Sequence, residues 1–244
     1  MIEATVLITA AIRPPDKMPY LKMKDATSRL IATKMALFFW ATQGVRNLVI
    51  ADATDSRVLN EEEMALLRQM RVNVEQIHFA QDEAQVSLLG KGYAEGKLIE
   101  FALENSRLLA QEEYFFKCTG KIFCRNFQNI IALIQHHKLH GLFWQLYHLG
   151  KLCTFLDTRF YYTSATFFKE NLAAGYALSN DMESMENKEN KCVEKICGGL
   201  LDKRYPQGHA TRPLLSGFGG GTGEQIEAGH LGELDQNFPC WFQA

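Results

Sequence analysis

Lysines, acids and hydroxyls recur in this chain where its apolar runs end, and one stretch gathers them most densely. From Gly90 to Lys121 it reads GKGYAEGKLIEFALENSRLLAQEEYFFKCTGK. The turn Gly90-Lys91-Gly92-Tyr93, with Glu95 just beyond it, leads an amphipathic helix. The aromatic run Tyr114-Phe115-Phe116 then delivers Lys117, Cys118, Thr119 and Gly120. Backbone N–H groups at a helix start, with a lysine alongside, suit an anion. Glycine lets a ligand come close to the backbone. Lys91, Lys117 and Lys121 are the cations a phosphate would meet here.

Other run ends are polar too: Thr9 and Ala10 with Arg13, Asp52 with Asp55, and Asp157 with Arg159. A parallel sheet collects such ends along one edge, which is where open α/β sheets bind ligands. An acid there can accept bonds from a base or a ribose. Two further groups lead less far. His136 and His140 have the spacing of helical metal ligands, but no glutamate of a metalloprotease accompanies them, and histidines at a helix C-terminus also suit its dipole. Ser216–Gly223 (SGFGGGTG) has the glycines of a phosphate loop without its lysine or a strong preceding strand, and reads as a flexible lid or acceptor loop.

The elements that must position these residues follow from the apolar pattern. Ala4–Ala10, Arg46–Ala51, Val72–Phe79 and the aromatic run read as buried strands. Between them, Asp25 caps a helix that Gly44 closes, and Asn60-Glu61-Glu62-Glu63 opens another with acids in its first turn. Asn126–His137 and Thr166–Ala177 read as helices, and Gly141–Leu149 and Lys151–Leu156 as strands. Alternating strands and helices predict an α/β, Rossmann-like, mostly parallel sheet flanked by helices. That domain is expected over residues 1–180. Residues 181–244 are expected to form an extension, a charged helix and then a glycine-rich loop, packed on the same domain.

The chain has 244 residues, 47% hydrophobic and 22% charged, with a formal net charge of −2. That balance gives no general attraction to nucleic acid, so any anion site is local. No apolar run is long enough for a membrane helix. The opening MIEATVLITAA reads as a first strand rather than a signal peptide. The six cysteines lack zinc-knuckle spacing and read as reduced thiols of a cytoplasmic protein.

The Gly90–Lys121 layout resembles a signature of sugar-nucleotide glycosyltransferases with the A-type fold, in which the strand ends in an Asp-x-Asp metal motif. More closely, the chain resembles bacterial glycosyltransferases of capsule, lipopolysaccharide and O-antigen clusters. The shared features are Thr9-Ala10 after the first strand, Gly-Lys-Gly-Tyr-x-Glu at Gly90–Glu95, Lys-x-Thr-Gly at Lys117–Gly120, Asp-Thr-Arg-Phe at Asp157–Phe160, and Ser216–Gly223. The resemblance implies transfer of a sugar from a nucleotide-sugar donor to a glycan or lipid-linked glycan acceptor, at the inner face of the membrane if the acceptor is lipid-linked. Donor-binding residues would be Thr9, Ala10, Arg13, Asp52, Lys91, Gly92, Glu95, Thr119 and Gly120, with Lys117, Asp157 and Arg159 at the reacting bond. In this assignment Asp52 holds the nucleoside, Lys91 and Lys117 hold the diphosphate, and Asp157 is the acceptor-side base if the enzyme inverts or an orienting group if it retains configuration. Lys-Cys-Thr-Gly stands where the metal motif would be, so cations replace a divalent metal and no cofactor is expected. A catalytically silent sugar-nucleotide-binding or assembly subunit is the alternative. A nucleotidyltransferase fits less well, because Arg13-Pro14-Pro15 follows the first strand where a glycine-rich loop is wanted.

Overall fold

Every residue of β1 (Thr5–Ala10) is buried, as a strand covered by helices on both faces requires. The same is true of β2 (Asn47–Asp52). The computed structural model describes residues 4–15, 21–148, 151–179, 193, 213–219, 223–226 and 238–243. β1 pairs in parallel with β2 on one side and with β4 (Tyr114–Thr119) on the other, and β3 (Asn73–His78) adds in parallel to β2.

The helices between them begin where their caps dictate. Asp25 accepts from the Ser28 amide at 2.6 Å and starts α1 (Ala26–Thr42). Asn60 and Glu63 form a reciprocal capping box at α2 (Glu61–Gln69). Asp82 caps α3 (Glu83–Asn105), and α4 (Arg107–Ala110) follows. Gly90 lies inside α3 with φ 90° and ψ 177°, so it divides the helix in two. The expected glycine turn is therefore a kink between helical segments, and the helix begins earlier than its sequence suggests.

Beyond β4 come β5 (Ile122–Cys124), α5 (Phe127–His137), β6 (Leu139–His148), β7 (Lys151–Leu156) and β8 (Phe160–Ser164). A helical stretch follows: α6 (Ala165–Phe167), a π turn (Phe168–Leu172) and α7 (Ala173–Leu178). β9 (Leu215–Phe218), β10 (Gln225–Ile226) and β11 (Phe238–Gln243) come last. The main sheet has eight strands in the order β11-β6-β8-β4-β1-β2-β3, with β7 paired to β6. Its β4-β1-β2-β3 part is the parallel, Rossmann-like core that the alternation predicts, while β8, β6, β7 and β11 extend it in antiparallel fashion. β5, β9 and β10 form a small second sheet.

Three departures from the sequence reading matter for the site. Phe160–Ser164 is a strand, not the tail of a motif. Ser216–Phe218 belongs to β9 rather than to a free loop, while residues 220–222 lie outside the described residues. The charged helix expected after residue 180 also lies outside them except for Val193, which is helical and buried, and β11 joins the main sheet beside β6. Beneath the parallel core, Trp40, Phe116, Phe127, Trp144 and Phe160 pack ring against ring, and Trp40 Nε1 donates to the Ile122 carbonyl at 2.9 Å.

Candidate functional site

From β1 the chain moves outward to β2 and β3, then returns to the other side of β1 for β4. The order of strands thus reverses between β1 and β4. In open α/β sheets the crevice beyond the carboxyl ends at such a switch point is where ligands bind. Thr9 and Thr119 face each other there in register. The turn after β4 is drawn in further by the Gly120 amide, which donates to the Thr9 carbonyl at 2.6 Å. A Cβ at Gly120 would lie 2.8 Å from that carbonyl oxygen, so only glycine allows this approach.

β8 runs antiparallel to β4, so the beginning of β8 reaches the same edge. Asp157, Thr158 and Arg159 arrive by that route: the Thr119 amide donates to the Arg159 carbonyl at 2.8 Å. The sequence reading had placed them at the end of a parallel strand. α3 contributes Glu95 from its second segment, past the Gly90 kink.

These residues meet in one polar network. Glu95 Oε1 accepts from Thr9 Oγ1 at 2.7 Å and from Thr119 Oγ1 at 3.4 Å, and pairs with Lys117 Nζ at 2.8 Å. Lys117 Nζ also donates to Thr119 Oγ1 at 3.0 Å and to the Thr158 carbonyl at 2.6 Å, with the Tyr161 ring beneath it. An ammonium has three protons, and these three acceptors use them all. Lys117 is fully buried. It therefore holds Glu95 and the Thr158 loop in place and has no proton left for a diphosphate, which revises its expected direct role. Glu95, by contrast, keeps 21% of its side chain exposed, and its Oε2 makes no hydrogen bond among the described residues.

Asp52 is revised in the same way. It is buried, and its Oδ1 accepts from Thr54 N, Thr54 Oγ1 and Ser56 N at 2.6–3.0 Å while Oδ2 accepts from Ile12 N at 2.9 Å. Its carboxylate fastens the loop after β2 to the loop after β1, a bracing role in place of the expected nucleoside contact. Asp157 is buried as well, and both its oxygens are held by Arg159, at 2.8 and 2.7 Å. Burial pushes its carboxyl up, but the charge of Arg159 and its hydrogen bonds outweigh this and leave it below its ordinary value. Such a carboxylate aims Arg159, whose own side chain is 30% exposed, and is poorly suited to take a proton. Arg13 and Lys91 are exposed, Arg13 beyond β1 and Lys91 one helical turn before Glu95. Gly92 and Ala10 are buried, and Ala10 packs beside Gly120.

Two further side chains stand at the same edge, Arg29, which the sequence reading leaves aside, and Lys121, which it names among the cations. Arg29 of α1 is buried and donates from Nε to the Ala11 carbonyl at 2.6 Å and from Nη1 to the Met23 carbonyl at 3.0 Å, bracing the loop after β1. Lys121 is 3% exposed with φ 80°, and burial, reinforced by the charge of Arg29, lowers its ammonium to about 7. A buried arginine on a largely apolar helix face was the available signal for the first; the second was legible as a lysine directly after Gly120.

Elsewhere, His140 contacts the Tyr114 hydroxyl through Nδ1 and takes no part with His136. Among the described residues no three His, Cys, Asp or Glu side chains gather as a metal site, and no helix is long and apolar enough to cross a membrane. A cleft of about 460 Å³ lined by Ala4, Tyr114, Leu139, His140 and Tyr162 lies at the opposite, amino end of the parallel strands. It carries polar side chains of its own, Glu112, Glu113, Lys138 and His140 among them, but the strand order favours the carboxyl edge.

No family model matches the chain, and no curated protein matches it. Among solved structures it is similar to HddC from Yersinia pseudotuberculosis, with 13% identity and a TM-score of 0.37 over 75% of this chain and 86% of that one. A superposition that loose supports no statement about activity.

Proposed function

We propose that the protein is a glycosyltransferase that moves a sugar from a nucleotide-activated donor to a bacterial surface glycan. The observation that carries this reading is the network at the switch point. There a fixed carboxylate, Glu95, keeps one oxygen anchored by Thr9, Lys117 and Thr119 and the other unbonded among the described residues. The motifs shared with capsule and lipopolysaccharide glycosyltransferases supply those residues.

In this reading Arg159, aimed by Asp157, faces the charge that develops on the leaving diphosphate, and Arg13 and Lys91 add exposed cations around it. Preorganised donors of this kind are the largest single contribution in many enzymes. Glu95 Oε2 accepts from an incoming hydroxyl, as a general base in an inverting transfer or as an orienting group in a retaining one. It takes over the role the sequence gave to Asp157. Lys117 and Asp52 act on the reaction only by holding Glu95 and the loops. The cations present make metal-independent transfer the expected mode.

Incubation with a panel of sugar nucleotides and surface-glycan acceptors, with and without chelator, tests the reading. Release of nucleoside diphosphate that depends on acceptor and survives chelation is the expected result. Tight donor binding with no turnover on any acceptor would instead identify a silent binding subunit.

A further inference from the structure

We propose that Lys121, with Arg29 within electrostatic range, forms a buried subsite for a phosphate-bearing anion, the diphosphate of the donor. Naming the anion as the donor's diphosphate rests on the glycosyltransferase reading; the subsite itself does not. Four observations carry it.

Lys121 is 3% exposed, and its ammonium has no hydrogen-bond or ion-pair partner among the described residues. Buried charges are otherwise paired or neutralised, because an unpaired one loses its solvation with nothing in exchange. The two acids in range of it are committed elsewhere. The charged groups that act on it are Arg29 from α1, Glu95 from α3 and Asp52 at the end of β2. Both acids are held by other donors, Glu95 through Oε1 and Asp52 through both oxygens, while Arg29 repels Lys121.

The backbone presses the residue into this position. Its φ of 80° is a left-handed conformation that lysine adopts only against strain, and strain of this sort collects at functional sites. Neighbouring elements hold it there: the Phe218 amide of β9 donates to the Lys121 carbonyl at 3.0 Å, and Trp40 holds the next carbonyl. A Cβ at Gly217 would come within 1.9 Å of the Lys121 oxygen, so β9 needs its glycine to reach the turn. Finally, Lys117, one of the cations the sequence nominates for this task, has no proton to give. An anion entering beside Lys121 replaces the missing partner, and its charge favours the protonated amine.

Calorimetric titration with inorganic pyrophosphate tests the subsite on wild type, Lys121→Met and Lys97→Met, the last removing a lysine from the exposed face of α3. Affinity should fall at least tenfold in Lys121→Met and less than twofold in Lys97→Met. In wild-type protein labelled at lysine Cε, the Lys121 NMR titration midpoint should rise by at least one pH unit when pyrophosphate saturates. Equal affinity in Lys121→Met, an unmoved midpoint, or no pyrophosphate binding to wild type at millimolar concentration would each overturn the proposal. Nucleoside diphosphates in the same titration separate it from the broader reading. If pyrophosphate binding depends on Lys121 but no nucleotide or sugar nucleotide binds, the subsite stands and the glycosyltransferase reading falls. If a nucleoside diphosphate binds wild type and Lys121→Met equally, the subsite falls and the reading stands.

Discussion

Lys117 and Lys121 flank the same turn at the end of the same strand and are both buried, yet they live in opposite electrostatic conditions. Lys117 has a carboxylate, a hydroxyl and a carbonyl within 3.0 Å, one acceptor for each proton. Lys121 has a guanidinium in range and no acceptor of its own among the described residues. The first is part of the fold's internal bonding. The second is a charge held ready. Burial alone does not separate a structural lysine from a ligand-binding one; the count of acceptors does.

The same substitution at both positions breaks that comparison most sharply. Lys117→Met leaves Glu95 without its cation and the Thr158 carbonyl without its donor. Removing one partner of a buried pair costs about 3–5 kcal/mol, and the lower end applies because Glu95 is 21% exposed. Urea denaturation should show a loss of ~3 kcal/mol, near the low end of that range. A loss under about 1 kcal/mol would mean that the network is solvated and weak.

Glu95→Gln sharpens the comparison from the side of the acid. The amide oxygen can still accept from Thr9, Thr119 and Lys117, so the fold should form with some loss of stability from the lost counter-charge of Lys117, while the charge offered to an incoming hydroxyl disappears. Turnover should fall about 100-fold, in line with general base contributions of roughly 10²–10⁴, with donor affinity changed little. A near-normal rate with unchanged folding would remove Glu95 from the chemistry.

Lys121→Met should act in the opposite sense to Lys117→Met on stability. It replaces an unpaired buried ammonium with an apolar chain and keeps the strained φ as it is. Leaving a buried group unsatisfied costs about 1–3 kcal/mol, more when charged, so the ligand-free variant should be more stable by ~2 kcal/mol at pH 7. Donor binding should weaken at the same time. A gain in stability joined to a loss of affinity is the mark of a residue kept for its ligand.

Much of the frame was legible because it depends on local signals. The buried runs of β1 and β2, the Asp25 cap and the Asn60–Glu63 box each declare their elements within a few residues. β8 was missed because Phe160–Ser164 is only five residues long and follows a polar motif. β11 was missed because Pro239 stands within it, a residue that fits a strand only at an edge, and β11 does end the sheet order beside β6. The site divided in the same way. Thr9, Glu95, Lys117 and Thr119 could be named from strand ends and the glycine kink. Their pairing could not, because it depends on where α3 sets Glu95 and where an antiparallel strand delivers Thr158. Two lysines a few positions apart look equivalent until those acceptors are placed.

The smallest effect is the most specific to Lys121, and it is read in pH. The ordinary lysine value is about 10.4, and the folded protein holds Lys121 near 7, chiefly through burial and next through Arg29. Below pH 7 the amine is protonated in both folded and unfolded chains, and the full penalty of the buried charge is present. Between pH 7 and about 10 the unfolded chain binds the extra proton, so stability must rise with pH. Above that range both forms are neutral and the rise ends. One proton corresponds to at most about 1.4 kcal/mol per pH unit, and near the folded midpoint only part of it appears. The stability of wild type relative to Lys121→Met should therefore increase by ~1 kcal/mol from pH 7 to pH 8. Taking the difference between the two proteins cancels the histidines and every other group they share. A flat difference across that interval would mean that Lys121 keeps an ordinary pKa, and with it a partner or a water shell that takes away its distinction from Lys117.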